Sequence, residues 1–210
     1  MKHKLVVFDF DGTLADSFPF FVASFGALAD AHGFRRLDRE QLDGLRRLDA
    51  RQLMRHIGLP AWKVPQVAMD FRRLMARQTA QIPLFDGMAA LLGDLAAAGA
   101  TLAVLSSNSR DNVEAVLGPA HASLIEHFDC GVSLLGKRRK LHGLLARTGI
   151  APADTVCIGD EVRDIDAARG VRAAAAAVGW GYTLPEALAA RRPDVLAYDV
   201  GELRQYLQLD

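Results

Sequence analysis

The sequence predicts an α/β protein: a doubly wound, mainly parallel sheet with a small helical bundle inserted after the first strand. Three continuous apolar runs end in polar residues, at positions 5–8, 101–105 and 155–158. Runs without alternation are typical of strands that are buried on both faces of a parallel sheet. Helical periodicity follows these runs or separates them, at positions 88–98, 112–117 and 141–148. This alternation of strand and helix is the pattern of a doubly wound domain.

The segment between the first strand and residue 84 has a different pattern. It contains no convincing strand, and its helical patterns cover residues 21–31, 50–57 and 67–80. It is too long to be a loop within a compact domain. We therefore predict a helical insertion at residues 16–83 and an α/β core formed by residues 1–15 and 84–210.

One segment has conflicting signals. Residues 173–177 are five consecutive alanines, and alanine favours a helix. Gly170 and Gly179 leave too little length for a typical helix, and the alternation of elements requires a strand here. We predict a strand over residues 172–178.

Composition restricts the class of partner. The formal net charge of the 210 residues is zero, which gives no reason to expect nucleic acid or a membrane as partner. The basic run at residues 137–140 is interpreted as a solvated helix start rather than a polyanion site. No apolar run reaches the ~18 residues of a membrane span, and the N-terminus enters a strand pattern without a signal-peptide layout. We expect a cytoplasmic protein.

The two cysteines support the same compartment. Cys130 and Cys157 are far apart, in apolar stretches, and have no metal-ligand spacing. Buried free thiols in a reducing compartment are the simplest interpretation.

The most specific motif follows the first predicted strand. Asp9 and Asp11 are separated by one residue, and Gly12 allows a sharp turn after them. Two carboxylates beside a buried strand are costly unless a cation lies between them, and Mg²⁺ prefers oxygen ligands and phosphate. One carboxylate can then attack phosphorus, while the other protonates the leaving oxygen and later deprotonates water. The alternative is a solvated acidic turn or a helix cap.

Polar residues also follow the other two runs, and ligands bind at the carboxyl ends of strands in such sheets. Ser106 and Ser107 end the middle run and could cradle a phosphate, although the same residues are ordinary helix caps. Asp160 could complete a magnesium site, with Asp164 one helical turn further on; an acidic helix start is the alternative. Lys137 supplies a positive charge for phosphate, and Lys140 is close enough to compete for that role.

Together these segments resemble the haloacid dehalogenase superfamily of phosphohydrolases. The pattern Asp-x-Asp-Gly-Thr is complete at residues 9–13, and Ser106 ends the second strand as in that family. Lys137 fits the family's lysine, and the pattern Gly-Asp-x-x-x-Asp matches Asp160 and Asp164. Residues 11–17 and 179–181 are similar to the phosphoglycolate-phosphatase-like members.

The resemblance implies a role for each residue. Asp9 is expected to be the nucleophile and Asp11 the general acid and base. Mg²⁺ is expected to be held by the Asp9 side chain, the Asp11 main-chain carbonyl and Asp160, with Asp164 supporting it from outside. Ser106 and Lys137 are expected to bind the phosphoryl group, and Lys137 to orient the nucleophile. The helical insertion would be a small cap that closes over the site, the substrate a small phosphorylated metabolite, and the protein a monomer or homodimer.

Several alternatives remain. A dehalogenase lacks the second carboxylate, which is present here as Asp11, and a phosphonoacetaldehyde hydrolase needs a cap lysine, for which Lys63 is the only candidate. A phosphomutase of the β-phosphoglucomutase type shares the four motifs and stays open. So does a non-catalytic module that accepts a phosphoryl group on an aspartate, although receiver domains are shorter and place their acidic residues on separate strands. A catalytically silent binding protein on this fold is a further alternative, which the four intact motifs disfavour.

Cap arginines could also select the substrate. Arg46, Arg47 and Arg51 lie in a polar stretch between predicted cap helices, where one of them could bind a substrate carboxylate or second phosphate. Exposure to solvent is the favoured interpretation.

Overall fold

A parallel sheet is the centre of the fold. The structure, a computed structural model, describes residues 2–48, 50–131 and 136–209. The strands of these ranges are β1 (Leu5–Phe8), β2 (Thr101–Leu105), β3 (His127–Asp129), β4 (Thr155–Gly159), β5 (Ala174–Val178) and β6 (Val195–Ala197). Their order is β3-β2-β1-β4-β5-β6, and all neighbouring strands are parallel. The predicted doubly wound α/β fold is confirmed.

Helices cover both faces of the sheet. The core helices are α5 (Met88–Ala97), α6 (Arg110–Ala122), α7 (Lys137–Thr148), α8 (Val162–Gly170), α9 (Pro185–Ala189) and α10 (Val200–Leu207). One apolar cluster joins the sheet to α5, α6 and α10, and a second joins it to α7, α8 and α9. In β1, Val6 and Phe8 belong to the first cluster and Leu5 and Val7 to the second. The uninterrupted apolar run of β1 therefore reflects burial on both faces.

The alanine-rich segment is a strand, as predicted. β5 pairs with β4 and β6, and Ala176 faces one apolar cluster while Ala175 and Ala177 face the other. Burial between two helical layers therefore outweighs the helix propensity of alanine.

The helical insertion has a small core of its own. Its helices in the described ranges are α1 (Phe18–His32), α2 (Arg39–Leu45), α3 (Ala50–His56) and α4 (Val64–Ala76). α1 packs against α4, and Phe25, Leu42 and Ile57 form a buried cluster. The sequence did not predict α2, whose last residues fall within the polar stretch that contains Arg46, Arg47 and Arg51.

The two chain segments that connect the insertion to the core lie side by side. Ala15 and Leu84 form an antiparallel bridge. The N–H of Asp16 donates to the carbonyl of Pro83 at 2.9 Å, and that of Phe85 to the carbonyl of Leu14 at 3.0 Å. The boundaries that were predicted for the insertion, residues 16–83, stay a prediction. The insertion is called the cap below.

The thiols differ in exposure. Cys157 is buried, and burial raises its pKa to about 12, whereas Cys130 is only half-buried and has a pKa that burial raises to about 11. Both are free, but the expectation that both are fully buried is wrong for Cys130. Among the helices of the described ranges, none has the length and apolar character that crossing a bilayer requires.

Candidate active site

Asp9 lies directly after β1, at the carboxyl end of the sheet. Its N–H extends the strand pairing by donating to the carbonyl of Ile158 at 2.8 Å. The carboxylate is buried, and its Oδ1 accepts the N–H of Phe10 at 2.8 Å. Its Oδ2 lies 2.5 Å from Nζ of Lys137. Backbone and ammonium together fix the orientation of this carboxylate.

Three acidic side chains meet at this edge. β1 and β4 are neighbours, so Asp9 and the residues that follow β4 converge. One oxygen each from Asp9, Asp160 and Asp164 lies within 4.8 Å of the others, and all three residues are buried. The first and last acidic motifs of the sequence therefore face the same point.

Asp160 is held by its neighbours. Its Oδ1 accepts the hydroxyl of Thr13 at 2.8 Å, and its Oδ2 accepts the N–H of Tyr182 at 2.7 Å. Burial raises the pKa of Asp160 well above its usual range, and the charge of Asp9 adds to this rise. A divalent cation would offset this cost, because its charge stabilises the ionised carboxylates. The oxygen-only ligand set suits Mg²⁺, a hard cation.

Lys137 is the first residue of α7 and is 4 % exposed. Its ammonium contacts Asp9 and also forms a short ion pair with Oδ1 of Asp164. Burial disfavours the charge, but the carboxylates of Asp164 and Asp9 raise the pKa of Lys137 above its ordinary value. Residues 138–140 are exposed, so the solvated interpretation holds for them but is wrong for Lys137.

Asp164 lies in the first turn of α8. Its Oδ2 accepts the N–H of Glu161 at 3.0 Å, and Glu161 in turn caps the helix. Burial raises the pKa of Asp164 to about 6 against the opposing effect of Lys137. Asp164 therefore helps to cap α8, as the alternative interpretation of an acidic helix start expected, and it also contacts Lys137 directly.

Two glycines allow the chain to approach Asp160 closely. Gly12 has φ +75°, and a Cβ atom there would lie 2.4 Å from Oδ2 of Asp160. A Cβ atom on Gly181 would lie 2.2 Å from Cβ of Asp160. Larger residues would push the two loops apart, which explains the requirement for glycine at both positions.

Asp11 lines the space between the core and the cap. Ser17 donates to its Oδ1 at 2.8 Å, and Nδ2 of Asn108 donates to its Oδ2 at 3.1 Å. Burial raises the pKa of Asp11 to about 6; the hydrogen bond from Ser17 opposes this rise, and the charge of Asp9 adds to it. A carboxyl group with this pKa can both donate and accept a proton near neutral pH.

The two serines that follow β2 differ in burial. Ser106 is fully buried, and its Oγ accepts the N–H of Asn108 at 2.9 Å. Ser107 is half-buried and lines the space between core and cap together with Asp11. Both of the predicted serines therefore lie at the same edge of the sheet as Asp9.

The sequence interpretation missed three polar contributors. Asn108 holds Asp11, and its Oδ1 accepts Nδ2 of Asn112 at 3.0 Å. Tyr182 links Asp160 to Ser17 through its N–H and its hydroxyl, the latter 3.1 Å from the Ser17 hydroxyl. Arg163 is largely buried and pairs with Glu161. Arg163 could have been noticed because it lies within the fourth motif, whereas Tyr182 belongs to no motif.

The cap arginines do not behave alike. Arg47 and Arg51 are exposed, as the favoured interpretation expected. Arg46 instead donates to the main-chain carbonyls of Gly181 and Tyr182, the latter at 3.1 Å. It fastens the cap to the loop that follows β5, so the interpretation of Arg46 as solvent-facing is wrong. Lys63 donates to the carbonyl of His32 at 2.7 Å, a structural contact within the cap.

Known proteins resemble this chain in sequence. The sequence profile of haloacid dehalogenase-like hydrolases matches residues 6–178. The phosphoglycolate phosphatase of Synechococcus elongatus is 38 % identical over 203 residues, which are 96 % of each chain. The tyrosine-protein kinase PtkA of Mycobacterium tuberculosis is 31 % identical over 185 residues, which are 85 % of this chain and 63 % of PtkA.

A solved structure has the same fold. The crystal structure of a predicted phosphatase from Clostridium acetobutylicum superposes with a TM-score of 0.82 at 20 % identity, covering 99 % of both chains. The prediction that this chain is a phosphoric monoester hydrolase is confirmed by its 38 % identity to a phosphoglycolate phosphatase. The chain belongs to the haloacid dehalogenase-like hydrolases.

Proposed function

We propose that this protein is a magnesium-dependent phosphatase, related to the phosphoglycolate phosphatases, that hydrolyses a small phosphorylated metabolite through an aspartyl-phosphate on Asp9. The observation that carries the proposal is the buried cluster of the carboxylates of Asp9, Asp160 and Asp164. The ammonium of Lys137 contacts two of them, Asp9 and Asp164. The 38 % identical phosphoglycolate phosphatase supports a small phosphate monoester as the class of substrate.

The metal would be held by carboxylate oxygens of Asp9 and Asp160 and by the main-chain carbonyl of Asp11, with Asp164 beside them. When bound, Mg²⁺ neutralises negative charge on the carboxylates and on the phosphate. Lys137 carries part of that charge balance itself, because it contacts both Asp9 and Asp164.

The first step is attack of an Asp9 carboxylate oxygen on phosphorus. A bond forms between that oxygen and phosphorus, and the ester bond to the leaving alcohol breaks. Asp11 gives its proton to the leaving oxygen. The fixed orientation of Asp9 favours in-line geometry, because the Phe10 N–H and the Lys137 ammonium hold its two oxygens.

The second step releases phosphate. Asp11, now ionised, takes a proton from a water molecule, which attacks phosphorus and displaces the Asp9 carboxylate. A single group can serve in both directions because the pKa of Asp11 is about 6 through burial. Ser17 and Asn108 hold Asp11 in place through both steps.

Two other outcomes use the same intermediate. A phosphomutase would return the phosphoryl group to a sugar phosphate, and a signalling module would keep it on Asp9. Because the relative PtkA is a tyrosine-protein kinase, transfer of a phosphoryl group to a protein should also be assayed. Release of phosphate over many turnovers separates the proposed phosphatase from both of these outcomes and from transfer to a protein.

The test measures release of phosphate from an aryl phosphate with Mg²⁺ and with excess chelator. We expect turnover with Mg²⁺ only, a loss of several orders of magnitude in Asp9→Asn, and a similar loss in Asp11→Asn. Asp166→Asn is the matched control, because Asp166 is exposed and lies 3.7 Å from Arg191, outside the site. Turnover that persists in chelator or in folded Asp9→Asn would overturn the proposal.

A further inference from the structure

A cleft lies between the cap and the core. Its volume is about 240 Å³. Side chains of α1, α3 and α4 and the ring of Tyr182 form its walls, and polar residues of the core, among them Asp11 and Ser107, form its floor. It is therefore continuous with the position at which Asp11 would protonate a leaving alcohol.

The walls are apolar and partly aromatic. Phe21 and Phe71 lie on the cap side, with ring centroids 6.0 Å apart, and Phe21 is 5.6 Å from the ring of Tyr182. Further phenylalanine side chains, together with leucine, isoleucine, valine, methionine and alanine, complete the described lining on the cap side. Such walls bind carbon skeletons through burial of apolar surface.

The size of the cleft exceeds the needs of a two-carbon acid. An apolar cavity of about 150 Å³ is sufficient to bind benzene. At about 240 Å³, this cleft has room for an aromatic ring or a chain of several methylene groups. The glycolate part of phosphoglycolate would fill only a small part of this cleft and leave most of its walls without contacts.

The charges on the floor do not favour a carboxylate. Asp11 and Glu161 are acidic, and the one floor cation among the described lining residues, Arg163, is paired with Glu161. Nη1 of Arg163 has no hydrogen-bond partner in the described part of the chain, but this atom is buried and has almost no exposed surface to offer a ligand. A second anionic group deeper in the cleft would meet only apolar walls.

We infer that the preferred substrates are phosphate monoesters of alcohols with an aliphatic or aromatic body, which the cap cleft binds, rather than esters of short hydroxy acids. This inference rests on the proposed phosphatase function and refines its substrate class. The phosphoryl chemistry at Asp9 is unchanged.

The test uses ethyl, butyl and hexyl phosphate, which share nearly the same leaving-group chemistry, and phosphoglycolate. We expect kcat/KM to rise about fourfold for each added methylene group that the cleft buries. Hexyl phosphate should exceed phosphoglycolate. Equal kcat/KM along the series, or a preference for phosphoglycolate over hexyl phosphate, would overturn the inference.

Ala68 allows the cleft itself to be tested. Its side chain lines the cleft on α4, so Ala68→Phe fills the space and should flatten the rise from ethyl to hexyl phosphate. Ala76→Phe is the matched control, because Ala76 is exposed on the same helix and should leave the rise unchanged. Ala68→Leu, a smaller change, decides the matter if Ala68→Phe does not fold. A full rise in a folded Ala68 variant would show that the chain binds elsewhere.

The two proposals fail in different ways. No phosphate release from any ester would overturn the phosphatase function and this inference with it. Phosphate release that is independent of chain length would leave the phosphatase function intact and overturn the inference alone.

Discussion

Replacement of Lys137 by methionine removes the positive charge at the centre of the carboxylate cluster. The lysine side chain is 4 % exposed, and those of Asp9 and Asp164 are 5 % and 7 % exposed. Methionine keeps the length and the apolar stem, so the change isolates the ammonium. Removing one partner of a buried ion pair typically costs 3–5 kcal/mol, because the remaining charge is left uncompensated. We expect a loss of about 4 kcal/mol in the free energy of unfolding of the metal-free protein at pH 7.5.

The loss should depend on pH. The pKa of Asp164 is already raised to about 6 by burial, and Lys137 opposes that rise. Without Lys137 the pKa of Asp164 increases further. A raised carboxyl pKa stabilises the folded state at low pH, and this contribution disappears as the pH rises through the folded-state value. The variant should therefore approach wild-type stability near pH 5 and show its full deficit above pH 7.

Urea unfolding in chelator, followed by circular dichroism between pH 5 and pH 8, measures this effect. Lys140→Met is the matched control, since the Lys140 side chain is 51 % exposed and lies 3.8 Å from Asp129. It should lose less than about 1 kcal/mol, as exposed pairs do. Equal losses in the two variants, or a deficit for Lys137→Met that does not grow with pH, would refute the charge balance described here.

Three other changes test the surroundings of the site. Asn108→Ala should lower kcat by about 10–100-fold, because the amide that holds Asp11 is lost; steady-state kinetics measures it. Gly181→Ala should raise the Mg²⁺ concentration that half-maximal activity requires, because its Cβ would lie 2.2 Å from Cβ of Asp160. Burial raises the pKa of Cys157 to about 12, so above pH 9 its thiol ionises in the unfolded state but not in the folded state, and the folded state becomes less stable. Between pH 7 and pH 10.5, wild type should therefore lose about 2 kcal/mol of unfolding free energy relative to Cys157→Ala.

Matched controls exist for two of these. A Cβ atom on Gly93 would meet no atom within 4 Å, so Gly93→Ala should leave the Mg²⁺ requirement unchanged, and the opposite result would contradict the steric explanation. Cys130 is half-buried and its raised pKa is about 11, so the stability loss from Cys130 should level off about one pH unit below that from Cys157. An unchanged kcat in Asn108→Ala would remove this residue from the positioning of Asp11.

The sequence was sufficient for the central part of the fold. β1, β2 and β4 are buried on both faces, so each is an uninterrupted apolar run whose end places polar residues at the site. The edge strands β3 and β6 have three residues each and are partly exposed, so they leave no such pattern. The short helix α2 in the cap was missed because Leu42 alone is buried among its described side chains, which is too little for a helical pattern.

The site was predictable where residue type and spacing carry the chemistry. Asp9 and Asp160 belong to short motifs at strand ends, which the parallel order of the sheet brings together, and Lys137 at the start of α7 contacts Asp9. Tyr182 and Arg46 could not be found in this way. Tyr182 acts on Asp160 through its main-chain N–H, which any residue except proline has, and the contact of Arg46 with the loop after β5 depends on how the cap sits on the core.

The central claim is that Asp9 becomes phosphorylated during turnover. Asp11→Asn retains the nucleophile but not the base that activates water, so the intermediate should accumulate from an aryl phosphate with a good leaving group. Acid quenching followed by mass spectrometry of peptides is the direct measurement. We predict one added phosphoryl group on the peptide that contains Asp9, and none when Asp9→Asn is combined with Asp11→Asn. Phosphate release by the wild-type enzyme with no adduct on that peptide, or with an adduct on a different residue, would contradict the mechanism.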